Sequence, residues 1–451
     1  MKTPLEPFDF NRREFLRGGS VASLAALFGM VQTGAQDAKP AEAEKAVTAT
    51  NTGVIGLGTR GREAVAVLGS LSNAQVTALC DHYPSALKRA GNTAPKAKQY
   101  ADYRQLLGDA EVAAVVITTP PHQHREIAEA ALAAGKHVYL EVPMAGTVED
   151  ARAIAQAARI AGKVVFQPGL QERSHPQSHF LLPFVRSGGA GRTIKARTQW
   201  HRKTSWRSNS PNPEREKELN WKLYRETSQG LVGEIGIHQM DILTWFFGQR
   251  PKSVMGFGTI QQWKDDRQTA DTVQCIYEYP NDVHVSQELT LTNSFDSEYS
   301  MIYGTDAAVM MRENKAWMFK ESDSPLLGWE VYARKDSFYK DLGIALVANA
   351  TKIVAQGKNP AEEAPYPNPP LFYALESFLF NAHELTTATK DFIENFGGDD
   401  PKALADHLAT LKLLPAPKWR EGFEATVVAL KANEAIESGE KITFRDEWFV
   451  V

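Results

Sequence analysis

The sequence predicts an α/β protein in which an N-terminal Rossmann domain with a parallel sheet precedes a C-terminal α/β domain with an open, mostly antiparallel sheet. Three observations support this fold class. An apolar strand leads directly into a glycine-rich loop at 56–61, four further apolar runs alternate with helical patterns up to residue 166, and five strand-like segments follow from residue 193. The length of 451 residues is sufficient for two or three domains.

The composition is that of an ordinary globular protein. Hydrophobic residues make up 43% and charged residues 23% of the chain, and the net charge is −4. Binding of nucleic acid requires a basic surface, so this charge balance excludes nucleic acid as a partner. The two cysteines, Cys80 and Cys275, lie in different predicted domains and rule out a disulfide framework. The spacing of Cys and His residues resembles no zinc site, and we predict no bound metal.

The N-terminal region is typical of an export signal. Arg12 and Arg13 form a twin-arginine pair, a mildly apolar stretch follows at 18–30, and small residues come next. We therefore predict a twin-arginine signal peptide at 1–35 and a linker at 36–50, with the mature protein in the periplasm or secreted. The apolar stretch is too short and too rich in Gly and Ser to form a stable membrane span. The alternative is an N-terminal amphipathic helix that is never removed.

The glycine-rich loop has the pattern G-x-G-x-x-G and lies between a strand and an amphipathic helix. Gly56 allows a tight turn, Gly58 lets the backbone approach a pyrophosphate, and Gly61 lets the helix pack close to the strand. The backbone N–H groups at the start of the helix, including those of Thr59 and Arg60, then face the phosphates. The pattern therefore predicts a dinucleotide-binding site.

Further cofactor contacts are predicted at the carboxyl ends of the strands in the Rossmann domain, residues 51–170. Asp81 ends the second strand, twenty residues after Gly61, where an acid accepts hydrogen bonds from the adenosine ribose and repels a 2′-phosphate. This position favours NAD over NADP as the cofactor; the alternative is that Asp81 only caps the next helix. The other predicted cofactor contacts at strand ends are Thr119, Pro120, His124 and Glu141.

The second domain, residues 171–451, is predicted from a change of pattern. Apolar and polar residues alternate in five segments, of which the last four follow one another without helices, and this indicates an antiparallel sheet. The polar stretch 203–220 is predicted to be a long surface loop with a functional role. The segments lie at 193–200, 253–259, 272–279, 283–292 and 299–303, with helices at 371–385 and 425–438. Predicted substrate contacts are Gln171, Arg173 and His175, directly after the last Rossmann strand, and more weakly His201, Lys203 and Tyr303.

Five segments carry motifs that occur together in one protein family. They lie at 56–61, 119–124, 133–143, 233–241 and 432–436. In combination they resemble the glucose–fructose oxidoreductase/inositol dehydrogenase family, often called Gfo/Idh/MocA. The resemblance implies a nicotinamide cofactor, a sugar or glycoside as substrate, and an open sheet that has helices on one face and oligomer contacts on the other. We therefore expect a homo-oligomer, either a dimer or a tetramer.

Two departures from the family pattern bear on the chemistry. The family usually has Glu-Lys-Pro where this chain has Glu-Val-Pro at 141–143, and that lysine normally helps to move a substrate hydroxyl proton; Lys203 is one candidate to replace it. The family's late motif normally carries Asp four residues before its His, whereas Glu234 precedes His238 here, on a predicted helix that would put both on one side. We predict His238, Glu234 and Glu141 as catalytic residues, with Asp241 as a neighbouring substrate contact.

Export favours chemistry that needs no fresh cofactor. NAD is not replenished outside the cytoplasm, so an exported enzyme of this kind would use NAD that stays bound for redox-neutral cleavage of a glycoside or rearrangement of a sugar. The Glu-Val-Pro segment and the twin-arginine signal also resemble exported NAD-dependent glycosidases of the superfamily, although their Tyr-Pro-Thr-His motif is Gly-Ile-His here. The alternatives are a sugar or polyol dehydrogenase with net hydride transfer and a non-catalytic homologue that binds cofactor or sugar.

Overall fold

The computed structural model describes residues 48–338, 341–348, 366–398 and 400–451. The predicted signal peptide at 1–35 and nearly all of the predicted linker at 36–50 lie outside the described residues. Among the helices of the described part, none combines the length and the apolar character that crossing a membrane would require.

Six parallel strands form the sheet of the N-terminal domain. They are β1 (Thr50–Ile55), β2 (Ala74–Cys80), β3 (Lys98–Tyr100), β4 (Ala114–Ile117), β5 (His137–Leu140) and β6 (Phe166–Pro168). Their order in the sheet is β3-β2-β1-β4-β5-β6, with β1 paired to both β2 and β4. The winding direction reverses between β1 and β4, which leaves a crevice at their carboxyl ends. The predicted parallel sheet is confirmed, and only the polar edge strand β3 has no counterpart among the predicted strands.

Helices cover both faces of this sheet and begin where the sequence offers a cap. For example, the Thr147 side chain accepts a hydrogen bond from the backbone N–H of Asp150, and the next helix buries Ala151, Ile154 and Ala158 on one face. The helices of the first half of the chain are α1 (Thr59–Ser70), α2 (Pro84–Gly91), α3 (Tyr103–Gly108), α4 (His124–Ala133) and α5 (Val148–Ile160).

A ten-stranded sheet forms the second layer of the molecule. Its strands are β7 (Thr193–His201), β8 (Ser253–Thr259), β9 (Thr272–Glu278), β10 (His284–Thr290), β11 (Glu298–Gly304), β12 (Ala307–Arg312), β13 (Lys315–Lys320), β14 (Lys335–Phe338), β15 (Asp341–Ala345) and β16 (Ile442–Thr443). Within the described residues, β7 and β10 form a parallel pair and the other neighbours are antiparallel. The predicted mostly antiparallel sheet is thus confirmed and extends beyond the five predicted segments.

The helices of the second half connect this sheet to the first. The stretch 203–220, predicted as a loop, contains a short helix that begins because the Asn212 side chain accepts hydrogen bonds from the N–H groups of Glu214 and Arg215. The helices are α6 (Pro176–Arg186), α7 (Pro213–Leu219), α8 (Ile237–Phe247), α9 (Pro370–Phe396), α10 (Pro401–Leu408) and α11 (Trp419–Ser438).

Helix α9 packs onto the N-terminal sheet although it lies far along the chain. Leu375 and Phe378 are fully buried in one apolar cluster with Val54 and Val116 of that sheet, and the Phe378 ring stands edge-on to Tyr139 at 5.8 Å between centroids. The hydrophobic core of the first domain is therefore completed by a helix from beyond the predicted domain boundary at residue 170. That boundary divides the sequence but not the core.

One face of the ten-stranded sheet carries exposed apolar side chains. Met255, Phe257 and Ile276 on neighbouring strands are 40%, 62% and 56% exposed. Opposite this face, α11 packs against β8. Large apolar side chains exposed side by side are typical of a surface that another protein covers.

Candidate active site

Two adjoining pockets lie at the carboxyl ends of the parallel strands, between the two sheets. We call them the glycine-loop pocket, about 1580 Å³, which includes Gly56, Gly58 and Asp81, and the helix pocket, about 1160 Å³, which includes Glu234 and His238. A cleft in this position is where doubly wound α/β proteins bind ligands. The two pockets share a wall formed by Thr59, Arg60, Thr118, Thr119, Thr204, Trp206, Trp221 and Lys222.

The glycine-rich loop forms a cradle that side chains would fill. Gly56 has a φ of +88°, and a Cβ there would lie 2.9 Å from the backbone nitrogen of Thr119. A Cβ on Gly61 would lie 1.9 Å from the carbonyl oxygen of Gly56, so no larger residue fits where α1 passes the strand. A Cβ on Gly58 would meet nothing within 4 Å, so the backbone there is open to the pocket. The first N–H groups of α1 lack partners within the helix and can bind a pyrophosphate.

Asp81 and Thr119 offer polar groups beside this cradle. The Asp81 carboxylate accepts hydrogen bonds from the backbone N–H of Leu57 at 2.8 Å and of Tyr83 at 2.9 Å, so it is fixed at the rim of the glycine-loop pocket. Helix α2 has Tyr83 as its N-cap residue, which disfavours the alternative that Asp81 is merely the helix cap. The hydroxyl of Thr119 is buried and has no partner among the described residues. These groups fit NAD, with Asp81 placed for the ribose.

Arg60 and Glu141 form an ion pair at the boundary of the two pockets. Arg60 Nε lies 2.9 Å from Glu141 Oε1, and its Nη1 lies 2.8 Å from Glu63 Oε2. Glu141 is largely buried, and a Cβ at position 169 would lie 2.7 Å from Glu141 Oε2, so Gly169 leaves the space that this carboxylate occupies. Glu141 therefore orients Arg60 toward the cleft.

Glu234 and His238 both line the helix pocket. Glu234 lies in a π-helical turn, Val232–Gly236, rather than in the predicted α-helix, and α8 with His238 follows directly. Wider turns of this type are frequent at functional sites. Burial raises the pKa of the Glu234 carboxyl to about 7, which the nearby Lys222 opposes. Burial and the charge of Arg60 lower the pKa of His238 to about 4, so this imidazole is neutral at pH 7. The helix pocket therefore contains a carboxyl that titrates near neutrality and a neutral imidazole.

Gln171 and His175 lie in the helix pocket, as predicted for substrate contacts. The His175 Nδ1 accepts a hydrogen bond from the N–H of Gln177 at the start of α6, whereas its buried Nε2 has no partner among the described residues. Burial lowers the pKa of His175 to about 4. Its neutral ring can therefore use Nε2 to donate a hydrogen bond to a ligand.

Arg173 and Asp241 do not reach the helix pocket. Arg173 donates from Nε and Nη2 to the Asp241 carboxylate at 2.8–3.1 Å, and both side chains are almost fully buried. They line a separate small cavity behind α8, together with Glu421 and Glu424 of α11. Each buried charge is neutralised by the other, and substrate contact stays a prediction for these two residues, which lie outside the helix pocket.

His201 and Lys203 also point away from the cleft. Side chains alternate along β7 and its extension, and it is Trp200 and Arg202 that line the helix pocket. The His201 Nδ1 lies 3.1 Å from the carbonyl oxygen of Phe295, and the Lys203 side chain is exposed. The residues that line the pocket are thus one position away from the predicted ones. The substrate contacts of His201 and Lys203, and the replacement of the lysine absent at 142 by Lys203, stay predictions. Tyr303, the third weak candidate, is likewise not among the cleft residues.

His124, predicted as a cofactor contact, lines the helix pocket, whereas Pro120 lies on the cofactor side of the cleft. The His124 Nε2 lies 2.7 Å from the carbonyl oxygen of Thr119, and its Nδ1 lies 3.2 Å from those of Pro143 and Met144. Burial lowers its pKa to about 4, so the ring is neutral and joins the ends of two strands. His124 is thus a brace, while Pro120 lines the glycine-loop pocket.

The sequence reasoning missed three residues at the junction of the pockets. Lys222 Nζ lies 3.9 Å from Glu234 Oε2, and 4.9 and 5.4 Å from the ring centres of Trp206 and Trp221. Tryptophans in and next to a polar stretch are a signal that could have indicated a surface for binding carbohydrate. Nothing in the local sequence showed that this stretch folds back over the cleft. Another missed group is Glu172 in the helix pocket, where burial raises the carboxyl pKa to about 7.

Comparison with known proteins agrees with this architecture. Residues 50–168 match the oxidoreductase family with an NAD-binding Rossmann fold, and residues 184–310 match the GFO/IDH/MocA C-terminal domain. A levoglucosan dehydrogenase of Pseudarthrobacter phenanthrenivorans is 29% identical over 150 residues, 33% of this chain and 36% of that protein. A glycosyl hydrolase family 109 protein of Shewanella sp. (strain ANA-3) is 34% identical over 160 residues, 31% of this chain and 35% of that protein. The chain thus spans about a third of the length of these two relatives.

A solved structure has the same overall fold. It is a levoglucosan dehydrogenase in complex with NADH and levoglucosan, with a TM-score of 0.62 and 19% identity over 88% of this chain and 99% of that chain. At this identity the likeness concerns the fold alone. Together, the two matched domains and the glycine-loop cradle confirm the resemblance found in the sequence: the chain belongs to the Gfo/Idh/MocA family of NAD-binding oxidoreductases.

Proposed function

We propose that this protein is an exported enzyme that keeps NAD bound and uses it for redox-neutral cleavage of a glycoside or rearrangement of a sugar. The proposal rests on the observation that a segment of the second domain covers the glycine-loop pocket. We call it the strap, residues 204–224; fourteen of the nineteen residues from 204 to 222 line that pocket. A dinucleotide in the pocket would lie beneath the strap, and opening of the strap would ease its exit.

The strap is anchored on the Rossmann domain beside Asp81. Glu218 Oε2 lies 3.0 Å from His82 Nε2 and also accepts a hydrogen bond from the Tyr83 hydroxyl. Arg215 donates from Nη2 to the Ser85 hydroxyl at 2.5 Å, and its guanidinium lies 4.5 Å from the centre of the Tyr83 ring. These contacts join the strap to the end of β2 and the start of α2, where the adenosine ribose would bind.

Ion pairs and hydrogen bonds made by side chains of the strap hold its backbone in place. Arg207 bridges Glu216 at 3.1 Å and Asp265 at 3.3 Å. The Asn220 side chain donates to the carbonyl oxygen of Ser208 at 2.8 Å and accepts from its N–H at 2.7 Å. A long segment ordered by its own side chains is a structural element and not a free loop. Retention of cofactor by such an element is what an enzyme outside the cytoplasm requires.

Transient oxidation can make a glycosidic bond labile without net redox change. When bound, NAD supplies reversible hydride transfer to and from a carbinol carbon. While the substrate carbon is a carbonyl, the neighbouring C–H is acidic, and loss of its proton expels the aglycone, which takes up a proton. Addition of water and reversal of the oxidation would then give the free sugar. The net reaction is glycoside plus water to free sugar plus alcohol.

The helix pocket provides the proton transfers that these steps need. Glu234 changes charge near pH 7 and can take a proton from the substrate and return it later in the cycle. His238 is neutral at that pH and can bind a sugar hydroxyl without adding a second charge. Trp200, Trp206 and Trp221 give the pocket aromatic surfaces on which a sugar ring can pack.

The test is to purify the exported protein, measure its nicotinamide content by mass spectrometry, and incubate it with nitrophenyl glycosides without adding NAD. We expect bound NAD and release of nitrophenol, and Glu234→Gln should keep the cofactor but lose the release. Net hydride transfer is the second candidate, because one relative is a levoglucosan dehydrogenase. An empty protein that reduces supplied NAD with a free sugar would favour that candidate. Bound NAD without turnover of any sugar or glycoside would indicate a non-catalytic homologue.

Export belongs to the same proposal and rests on Arg12 and Arg13. The twin-arginine route carries folded proteins, so this chain could leave the cytoplasm with its cofactor already inside. Replacement of both arginines by lysine should leave the protein in the cytoplasm, as measured by fractionation of the producing cells. Unchanged export of the double variant would contradict this part of the proposal.

We also propose a homo-oligomer that covers the exposed face of the ten-stranded sheet. Met255, Phe257 and Ile276 form its apolar patch. Phe257→Glu places a charge in the patch and should shift the mass measured by light scattering toward that of one chain. The matched control is Phe396→Glu, which changes another exposed phenylalanine, 76% exposed, on a distant helix. A single-chain mass for the unaltered protein would refute the oligomer.

A further inference from the structure

Lys222 occupies a position that links the strap to the proton-transferring residues. It lies in the short helical turn Trp221–Leu223 near the end of the strap, and its side chain belongs to both pockets. Its ammonium lies 3.9 Å from Glu234 and faces the indole rings of Trp206 and Trp221. Indole faces attract a cation, so they hold this flexible side chain over the cleft.

The backbone conformation at Trp206 indicates that the surrounding structure fixes the position of this residue. Trp206 has a φ of 61°, in the left-handed region that a bulky residue rarely adopts. Such conformations persist where the surroundings impose them, and they are concentrated at functional sites. Here the result is that the indole of Trp206 lies against Lys222 at the junction of the two pockets.

We propose that Lys222 is a positioning residue that holds the Glu234 carboxyl in its ionised, proton-accepting form. This inference rests on the proposed function, since it assigns the partner of the group that moves the proton. The geometry supports it because Lys222 Nζ faces the carboxylate without a direct hydrogen bond to it, so its donors remain available to a substrate hydroxyl.

The charges around Glu234 single out Lys222. Burial favours the protonated form of Glu234, whose side chain is 5% exposed, and Lys222 is the charged group in the described residues that counteracts this burial. Arg60, Glu141 and His238 line the same pocket from neighbouring elements. On the opposite side of the π-helical turn, the charged groups are Glu421 and Glu424 of α11, with Arg173, Asp241 and Arg250 around the separate cavity.

The experiment measures the titration of Glu234 directly in the full-length folded protein without substrate. Infrared spectra of the protein minus those of Glu234→Gln isolate the Glu234 carboxyl band at each pH. We expect a midpoint near pH 7 and, for Lys222→Met, a midpoint about one pH unit higher, which is a tenfold gain in proton affinity. The Lys222→Met spectra are compared with those of Lys222→Met/Glu234→Gln. Lys222→Arg keeps the charge and should restore the original midpoint.

Controls separate this effect from damage to the fold. Lys390→Met removes a lysine that lies 3.8 Å from a glutamate on an exposed helix face far from the cleft, and it should leave the Glu234 midpoint unchanged. Circular dichroism and bound-NAD content identify a variant that fails to fold, in which case Lys222→Gln takes its place. Identical midpoints in the unaltered protein and in a folded, uncharged Lys222 variant would overturn the proposal.

The outcome remains distinct from that of the proposed function. If no glycoside is cleaved but the midpoint moves as expected, the proposed reaction fails while the pairing of Lys222 with Glu234 stands. If glycosides are cleaved and the midpoint does not move, the reaction stands and Lys222 has no positioning role. Where activity is present, the acidic limb of kcat/KM should shift upward by the same pH unit in Lys222→Met and return in Lys222→Arg.

Discussion

Removal of one anchor of the strap should accelerate the loss of bound NAD. Arg215→Ala deletes the hydrogen bond to Ser85 and the contact between its guanidinium and the Tyr83 ring. In a half-exposed setting these two contacts contribute about 1 and about 0.5 kcal/mol. Their sum of about 1.5 kcal/mol corresponds to about a tenfold change in the equilibrium between closed and open strap. If release passes through the open strap, its rate rises by the same factor.

The assay follows displacement of bound NAD by an excess of a fluorescent etheno analogue. Arg215→Ala should release NAD about tenfold faster than the unaltered protein. Lys98→Ala serves as the matched control, because it removes surface ion pairs of the same domain, at 3.0 and 2.8 Å, that do not involve the strap. Equal release rates for Arg215→Ala and the unaltered protein would show that the strap does not retain the cofactor, and the main support for the proposed function would be lost.

Three further predictions follow from buried charges. Since Glu234 titrates near pH 7, kcat/KM should fall about tenfold per pH unit below that value, and a profile that is flat from pH 5 to 8 would contradict its role as the base. Burial raises the pKa of the Glu234 carboxyl above its ordinary value of 4.5. The contribution of Glu234 to the free energy of unfolding is therefore present below pH 4.5 and lost as the pH rises through about 7. Denaturant titration of Glu234→Gln should lack this loss. Arg173→Met leaves the buried Asp241 carboxylate unpaired and should lower the free energy of unfolding by about 3–5 kcal/mol, much of which Arg173→Met/Asp241→Leu should restore. If Arg173→Met leaves the free energy of unfolding unchanged but raises KM, Arg173 contacts the substrate instead.

The parts of the fold that sequence predicted are those set by local pattern. Gly56 and Gly61 are needed for a turn and a close approach that neighbours in sequence create, so the cradle could be predicted from six residues. Strands β3 and β14 could not, because they are short and consist mostly of polar residues. Helix α9 is apolar enough to be predicted as a helix, but its attachment to the first sheet depends on contacts between distant residues.

The site was predicted less completely than the fold, for a related reason. Glu234 and His238 lie only four residues apart in sequence, and both line the helix pocket. His201 and Lys203 each lie one position along the chain from a residue that lines the pocket, because neighbouring side chains of a strand point to opposite faces. Lys222 was missed because its proximity to Glu234, twelve residues further along the chain, depends on how the chain folds between them.

The strap couples two requirements of the proposed chemistry in one element. Its middle part anchors on Tyr83 and Ser85 above the dinucleotide cradle, and its end brings Lys222 to Glu234. The strap, as it lies over the first domain, therefore covers the dinucleotide cradle and holds the ammonium near the proton-accepting carboxyl in one conformation. A cycle that takes up and returns hydride on one bound cofactor gains from this arrangement, because the strap has no need to open between turnovers, whereas a dehydrogenase that exchanges NAD would have to open it at every turnover.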